Sequence, residues 1–266
     1  MRKFLIGAVV LATALITAAV ALGVTQRTFN EKFTNSSTGS PVVSKTGSAT
    51  GALFAEHSED PSNTDNNKQP ASDDVDTDIF PKGAAIIQKA IPQCNATEQD
   101  FSQKGDQACP AKSNVGSGSA KVRLKFNGTN DIPATVKLFN GTKNRLFAYV
   151  SPTPGQPIVI PTKVTGKPFK TQKLIITVPI TCALGTPPNC GSAGEARIVD
   201  LSLFIKKVIG KVKKGKKKVK TPFLQTPKTC PKSGHWTFTF TFHHRDNSGT
   251  DKNTSDSACK KPKKKH

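Results

Sequence analysis

Three sets of side chains have the types and spacings that could do chemistry: the histidines, an aspartate run at 73–78 and a lysine run at 206–220. The histidines are His57, His235, His243, His244 and His266. His243 and His244 are adjacent, so on a strand they face opposite ways and cannot chelate one metal together. A hydrolytic triad of a serine, His243 or His244, and Asp246 has no motif behind it. G-x-S-x-G is absent, and Gly116-Ser117-Gly118-Ser119 has the wrong spacing for a nucleophile elbow. H-E-x-x-H and the P-loop are absent as well. The expectation is a chain with no catalytic residues, no cofactor and no metal.

Asp74, Asp76 and Asp78, with Asp73 adjoining, resemble the start of a calcium loop. An EF-hand needs Gly at its sixth position and Glu at its twelfth, where this chain has Ile79 and Ala85. On a strand the three carboxylates line one face and Val75, Thr77 and Ile79 the other, which reads as a solvated acidic face.

The lysine run is the densest charge in the chain. Lys206, Lys207, Lys211, Lys213, Lys214, Lys216, Lys217, Lys218 and Lys220 are nine lysines in 15 positions. The overall charge is +21, but residues 24–110 carry a net −5 and residues 111–266 a net +24. The run has no aromatic side chain to stack on bases and no arginine for bidentate readout. Nucleic acid is therefore not the expected partner. Lysine is a hydrated point charge, suited to non-specific attraction to phosphate or carboxylate polymers. The competing reading is a solvated hairpin tip, with Val208, Ile209, Val212 and Val219 flanking Gly210 and Gly215.

Arg2 and Lys3 precede an uncharged apolar run from Phe4 to Val24. This matches a secretory signal, and its length also suits an uncleaved membrane anchor. Both place the remainder outside the cytoplasm. Six cysteines (Cys94, Cys109, Cys182, Cys190, Cys230, Cys259) are an even count for such a chain and read as three disulfides. Of the possible pairings, the one with the shortest loops joins sequence neighbours. Zinc is not expected, since no C-x-x-C pair occurs.

The elements that must hold these residues are short runs rich in Val, Ile, Phe and Thr, punctuated by Pro and Gly. They fall at 52–57, 74–80, 120–126, 134–139, 145–150, 158–164, 173–178, 197–208 and 235–243, with a helical turn within 84–90. Asn127-Gly128 and Asn140-Gly141 read as hairpin turns. His235–Phe242 alternates strictly, placing Trp236, Phe238, Phe240 and Phe242 on one face, which reads as a core strand. Residues 1–24 are then the signal or anchor, 25–47 a flexible spacer, 48–260 one domain and 261–266 a basic tail. The expected fold is an all-β, disulfide-stapled antiparallel sandwich with Greek-key-like topology and one short helical turn.

Ile79-Phe80-Pro81-Lys82-Gly83, Pro92-Gln93-Cys94, Cys109-Pro110, Val115–Ala120, Cys230-Pro231 and Ala258-Cys259-Lys260 form a series. It resembles a group of secreted bacterial proteins with a signal peptide, an all-β domain and no assigned activity. The resemblance spans roughly residues 47–260. It implies that the Cys94/Cys109 and Cys230/Cys259 pairs belong to the framework, with Cys182 and Cys190 an addition; no functional residue carries over. The function expected is a non-catalytic cell-envelope module, secreted or envelope-held, whose nine lysines associate with an anionic envelope polymer or membrane surface. The alternative is a carbohydrate- or protein-binding domain with its site in strand-end loops, near Tyr149 or Phe169. A secreted hydrolase using His243 or His244 is the weaker alternative.

Overall fold

A computed structural model of the chain describes residues 25–37, 43–64, 67–125, 131–182, 190, 194–247 and 249–261. The apolar segment at 1–24, the Asn127-Gly128 turn and the basic tail beyond residue 261 lie outside the described residues. In chain order the strands are β1 (Gln26–Thr34), β2 (Ser44–Lys45), β3 (Gly51–Glu59), β4 (Asp73–Ile79), β5 (Ala85–Ile86), β6 (Asn114–Arg123), β7 (Ile132–Asn140) and β8 (Arg145–Pro152). They continue with β9 (Ile158–Thr165), β10 (Lys173–Thr177), β11 (Arg197–Ile205), β12 (Ile209–Lys214), β13 (Lys217–Pro222), β14 (Leu224–Gln225), β15 (His235–His244) and β16 (Thr250–Lys260). A short helix, α1 (Glu98–Lys104), follows β5. Among the described residues no helix is long and apolar enough to cross a membrane.

The chain is all-β and disulfide-stapled, with its strands gathered in one nearly closed, barrel-like sheet rather than two clearly separate ones. Twelve strands run in the order β1-β3-β11-β6-β7-β8-β9-β10-β4-β15-β16-β2. β6 to β10 form a meander of antiparallel neighbours. β12–β13 and β5–β14 are separate two-stranded ribbons.

Closure comes where β1 meets β16. Their side-by-side backbones are joined by serine hydroxyls instead of a ladder. Ser255 Oγ accepts from the Glu31 N–H and donates to the Glu31 carbonyl, both at 2.8 Å. Ser257 Oγ accepts from the Phe33 N–H at 2.9 Å, and Ser44 Oγ donates to the Phe33 carbonyl at 2.9 Å. An edge strand with open N–H and C=O groups is a pairing hazard, and these hydroxyls satisfy it.

Strand parity decides what fills the interior. The β15 stripe Trp236, Phe238, Phe240 and Phe242 is buried, as its alternation predicts. It packs with Phe29 and Phe33 of β1 and Phe54 of β3 through ring contacts of 4.9–5.5 Å. Ala120, Val122, Ala134, Val136, Val150, Ile158 and Ile160 fill the opposite wall. A satellite core lies outside the barrel, where Phe101 of α1 packs against Phe139, Phe147 and Tyr149 beside the Cys94–Cys109 disulfide. Thr97 starts α1 with a capping box, its hydroxyl accepting from the Asp100 N–H while the Asp100 carboxylate accepts from the Thr97 N–H.

Two expectations are corrected. Residues 26–34, read as spacer, are β1, because Arg27, Phe29, Glu31 and Phe33 point inward and complete the barrel. Asn140-Gly141 is not a turn tip: Lys143 and Asn144 take the positive φ values of 55° and 58°. Asn140 is buried instead, its amide donating to the Gln88 and Pro92 carbonyls at 2.9 and 3.1 Å.

Candidate functional site

The lysine run forms the β12–β13 ribbon. Its register sets Lys211 opposite Lys220, Lys213 opposite Lys218, and Lys214 opposite Lys217. Lys211, Lys213, Lys218 and Lys220 share one face; Val212 and Val219 lie on the other with Lys214 and Lys217. Strand geometry puts the four on a grid of about 5 by 7 Å. All nine lysines of the run are exposed. None makes an ion pair among the described residues, and Lys206 Nζ alone finds a protein partner, Asn114 Oδ1 at 2.8 Å.

The ribbon is seated on the barrel. Val208 and Val212 pack against the main core. Gly210 lies so close to the turn at Gln88–Ala90 that a Cβ on it would stand 1.7 Å from the Ala90 carbonyl oxygen. The tip turns at Gly215, φ 58°. Like charges directly opposite destabilise a strand pair, and this ribbon carries three such pairs with no opposing charge between them.

The second charged constellation is inside the barrel. Asp76 and Asp78, read from sequence as a solvated face, point inward and are 7% and 2% exposed. β4 lies between β10 and β15 in the sheet. Its inward face continues into buried Phe80, so the carboxylates have the parity of the core. Asp74 folds back, its Oδ1 accepting from the Val75 N–H at 2.6 Å. Glu31 of β1 and Glu56 of β3 join from neighbouring strands, each opposite or beside an inward phenylalanine. The sequence signal was present: in β1, β3 and β4 the acids share parity with Phe29, Phe33, Phe54 and Phe80.

One guanidinium stands among these carboxylates. Arg27, its side chain 2% exposed, forks onto Asp73 with 2.7 and 2.8 Å bonds and donates through Nε to Asp251 at 3.1 Å. Its face lies 4.1 Å from the Phe242 ring centroid. Glu56 Oε1 is 3.9 Å from Arg27 Nη1 and accepts from Ser58 Oγ at 2.8 Å. Burial pushes the Glu56 carboxyl up to about 7, against the opposing pull of Ser58 and Arg27. Burial likewise raises Asp73 and, with Asp73 and Glu56 adding repulsion, raises Asp76 further. Glu31 and Asp78 are both buried, and neither Glu31 Oε2 nor Asp78 Oδ1 meets a hydrogen-bond partner. Burial raises both, Asp78 to about 7.

Of the remaining groups singled out in the sequence, His244 and Asp246 line one open cleft together with Ser72, and the others are dispersed. His244 Nε2 lies 3.0 Å from Asp251 Oδ2, and His57 Nδ1 lies 2.6 Å from Asp200 Oδ1 on the outer surface. Tyr149 stacks on Phe101, whereas Phe169 is 42% exposed with Lys228 Nζ 5.8 Å from its ring centroid. Among the described residues no three His, Cys, Asp or Glu side chains are grouped to hold a metal ion. The disulfides join Cys94–Cys109, Cys182–Cys190 and Cys230–Cys259. Three disulfides are consistent with an extracytoplasmic protein. No protein-family model, curated protein or solved structure matches the chain.

Proposed function

We propose that this chain is a non-catalytic, exported cell-envelope module that associates with anionic polymers or an anionic membrane surface through the β12–β13 ribbon. The observation that carries the reading is the exposed face of Lys211, Lys213, Lys218 and Lys220, seated on the barrel and facing no carboxylate. Three like-charge pairs oppose ribbon formation. A polyanion laid across them relieves that repulsion and releases its counterions. Lys214, Lys216 and Lys217 at the tip, and Lys206 and Lys207 at the root, widen the field. The disulfides and the apolar N-terminal segment support an extracytoplasmic place for this chemistry.

The test is cosedimentation with anionic and neutral envelope polymers at low and high salt. Wild type is expected to pellet with the anionic polymer alone, and only at low salt, because screening shortens from about 10 Å at 0.1 M to about 3 Å at 1 M. A variant carrying Lys211→Gln, Lys213→Gln, Lys218→Gln and Lys220→Gln is expected to stay in the supernatant. Equal binding of the variant, or binding indifferent to salt, overturns the reading and moves the search to the strand-end loops around Phe169.

A further inference from the structure

The barrel interior is not filled at one end. A cavity of about 110 Å³ lies between the acidic cluster and the apolar wall. Glu56, Asp73 and Asp76 line one side; Ile158, Ile160 and Ile176 line the other; Phe54 and Phe240 stand between them. Outside it an open cleft of about 800 Å³ shares Ala71, Ser72, Glu195 and Arg197 with the cavity wall. Those four form the rim between solvent and interior. Arg197 Nη2 is 3.5 Å from Glu195 Oε2, which also accepts from Ser72 Oγ at 2.8 Å.

Two groups lining this cavity have a buried atom without a partner, Asp76 at Oδ1 and Arg197 at Nε, and of the two only Asp76 can accept. Its Oδ1 is buried on the cavity wall and meets no hydrogen-bond partner. A buried polar atom without a partner costs about 1–3 kcal/mol, more if charged. Arg27 does not supply the partner, because its fork is taken by Asp73 and its Nε by Asp251.

We propose that this cavity binds a small organic cation, a primary ammonium on a short apolar body, with the ammonium donating to Asp76 Oδ1 and the body lying against Ile158, Ile160 and Ile176. Three features select that chemistry. Four carboxyls, of Glu56, Asp73, Asp76 and Glu195, line the cavity against the two guanidiniums of Arg27 and Arg197, and an ammonium supplies the counter-charge that favours ionised Asp76. Phe54 and Phe240 line the cavity, and the π-system of an aromatic ring attracts an ammonium. The carboxyls are not grouped as ligands for a metal, and the facing wall is apolar, so a hydrated metal ion finds neither its shell nor its geometry. The volume is below the roughly 300–1,000 Å³ of drug-sized pockets, which restricts the occupant to a few heavy atoms. Ser72 and the Glu195–Arg197 pair stand at the entrance from the outer cleft.

The probes are n-butylammonium, n-butanol and butyrate, titrated calorimetrically into the full chain, with the isoleucine methyl resonances followed by NMR. Butylammonium is expected to bind at one site at least tenfold more tightly than butanol, and butyrate not at all, with shifts at Ile158, Ile160 and Ile176. Asp76→Asn keeps the shape and removes the ionisable carboxyl. It is expected to reduce butylammonium to the affinity of butanol while retaining the wild-type methyl pattern elsewhere, which shows that the variant is folded. Ile176→Phe, filling the cavity from the apolar side, is expected to abolish binding of both. Equal binding of butylammonium and butanol overturns the proposal, as does an unchanged affinity in Asp76→Asn. Competition by calcium chloride also overturns it, by making the site a metal site, and so does binding without shifts at the three isoleucines.

Discussion

Ser257 Oγ takes the backbone N–H of Phe33 at 2.9 Å, across 224 residues of sequence. With Ser255 on Glu31 this is how the two ends of the sheet are joined. The seam explains why β16 is so polar. Its inward side chains at 255 and 257 are not there to fill the core but to stand in for a missing ladder. A serine truncated to alanine leaves a buried N–H with no partner, which costs about 1–3 kcal/mol. Ser255→Ala and Ser257→Ala are each expected to lose stability in this range by urea denaturation, while Ser257→Thr, which keeps the hydroxyl, loses less. A loss no larger in the alanine variants than in the threonine variant would remove the seam from the account of closure.

Arg27 holds Asp73, Asp251 and Glu56 around one guanidinium. Removing one partner of a buried ionic group leaves uncompensated charge, at a cost of about 3–5 kcal/mol. Arg27→Met is expected to show this loss at pH 8. The loss is expected to shrink at pH 5, where Glu56, raised to about 7, is protonated in the folded protein and no longer needs the guanidinium. Denaturant midpoints at both pH values check it; a pH-independent loss would mean that packing, not charge, is what Arg27 supplies.

Glu31 and Asp78 are buried inside the barrel, and burial raises both carboxyls. Their folded values lie above the unfolded ones, so the folded state binds more protons. Stability is therefore greatest below pH 4 for these groups and falls as pH rises, for Asp78 over the window from about 4 to about 7. The loss is on the order of a few kcal/mol. Asp78→Asn gives Glu31 a neutral amide donor and is expected to flatten the decline between pH 4 and pH 7 in thermal unfolding. An equal slope in wild type and variant would assign the pH dependence to other groups.

The parts of this fold that were legible in the sequence are those where one physical demand acts alone. The β15 stripe is apolar on one face and hydroxylated on the other, and it is core. The lysine run turns at Gly215 as a ribbon. β1 and β16 were not legible, because closure and charge compete with burial there: Arg27 and Glu31 interrupt the apolar face of one, and serines replace it in the other. Alternation at 74, 76 and 78 identified a shared face but not which side was wet. Phe80, in phase with them, carried that information. Likewise Thr97 and Asp100 spell the capping box of α1, a helix the strand-dominated pattern around it obscured.

The ribbon separates stability from binding, and Lys213→Glu exploits this. The substitution sets a carboxylate directly opposite Lys218 and beside Lys211, replacing repulsion by attraction worth roughly 0.2–1 kcal/mol. The folded protein is thus expected to be unchanged or slightly more stable by thermal unfolding. Polyanion binding should weaken in the same protein, since the exposed face loses two units of net charge, and the dependence of the binding constant on salt should become shallower. A chain whose lysines were only a solvated tip would show the stability effect without the binding effect. Measuring both on one variant therefore decides between the two readings without relying on a variant that loses its fold.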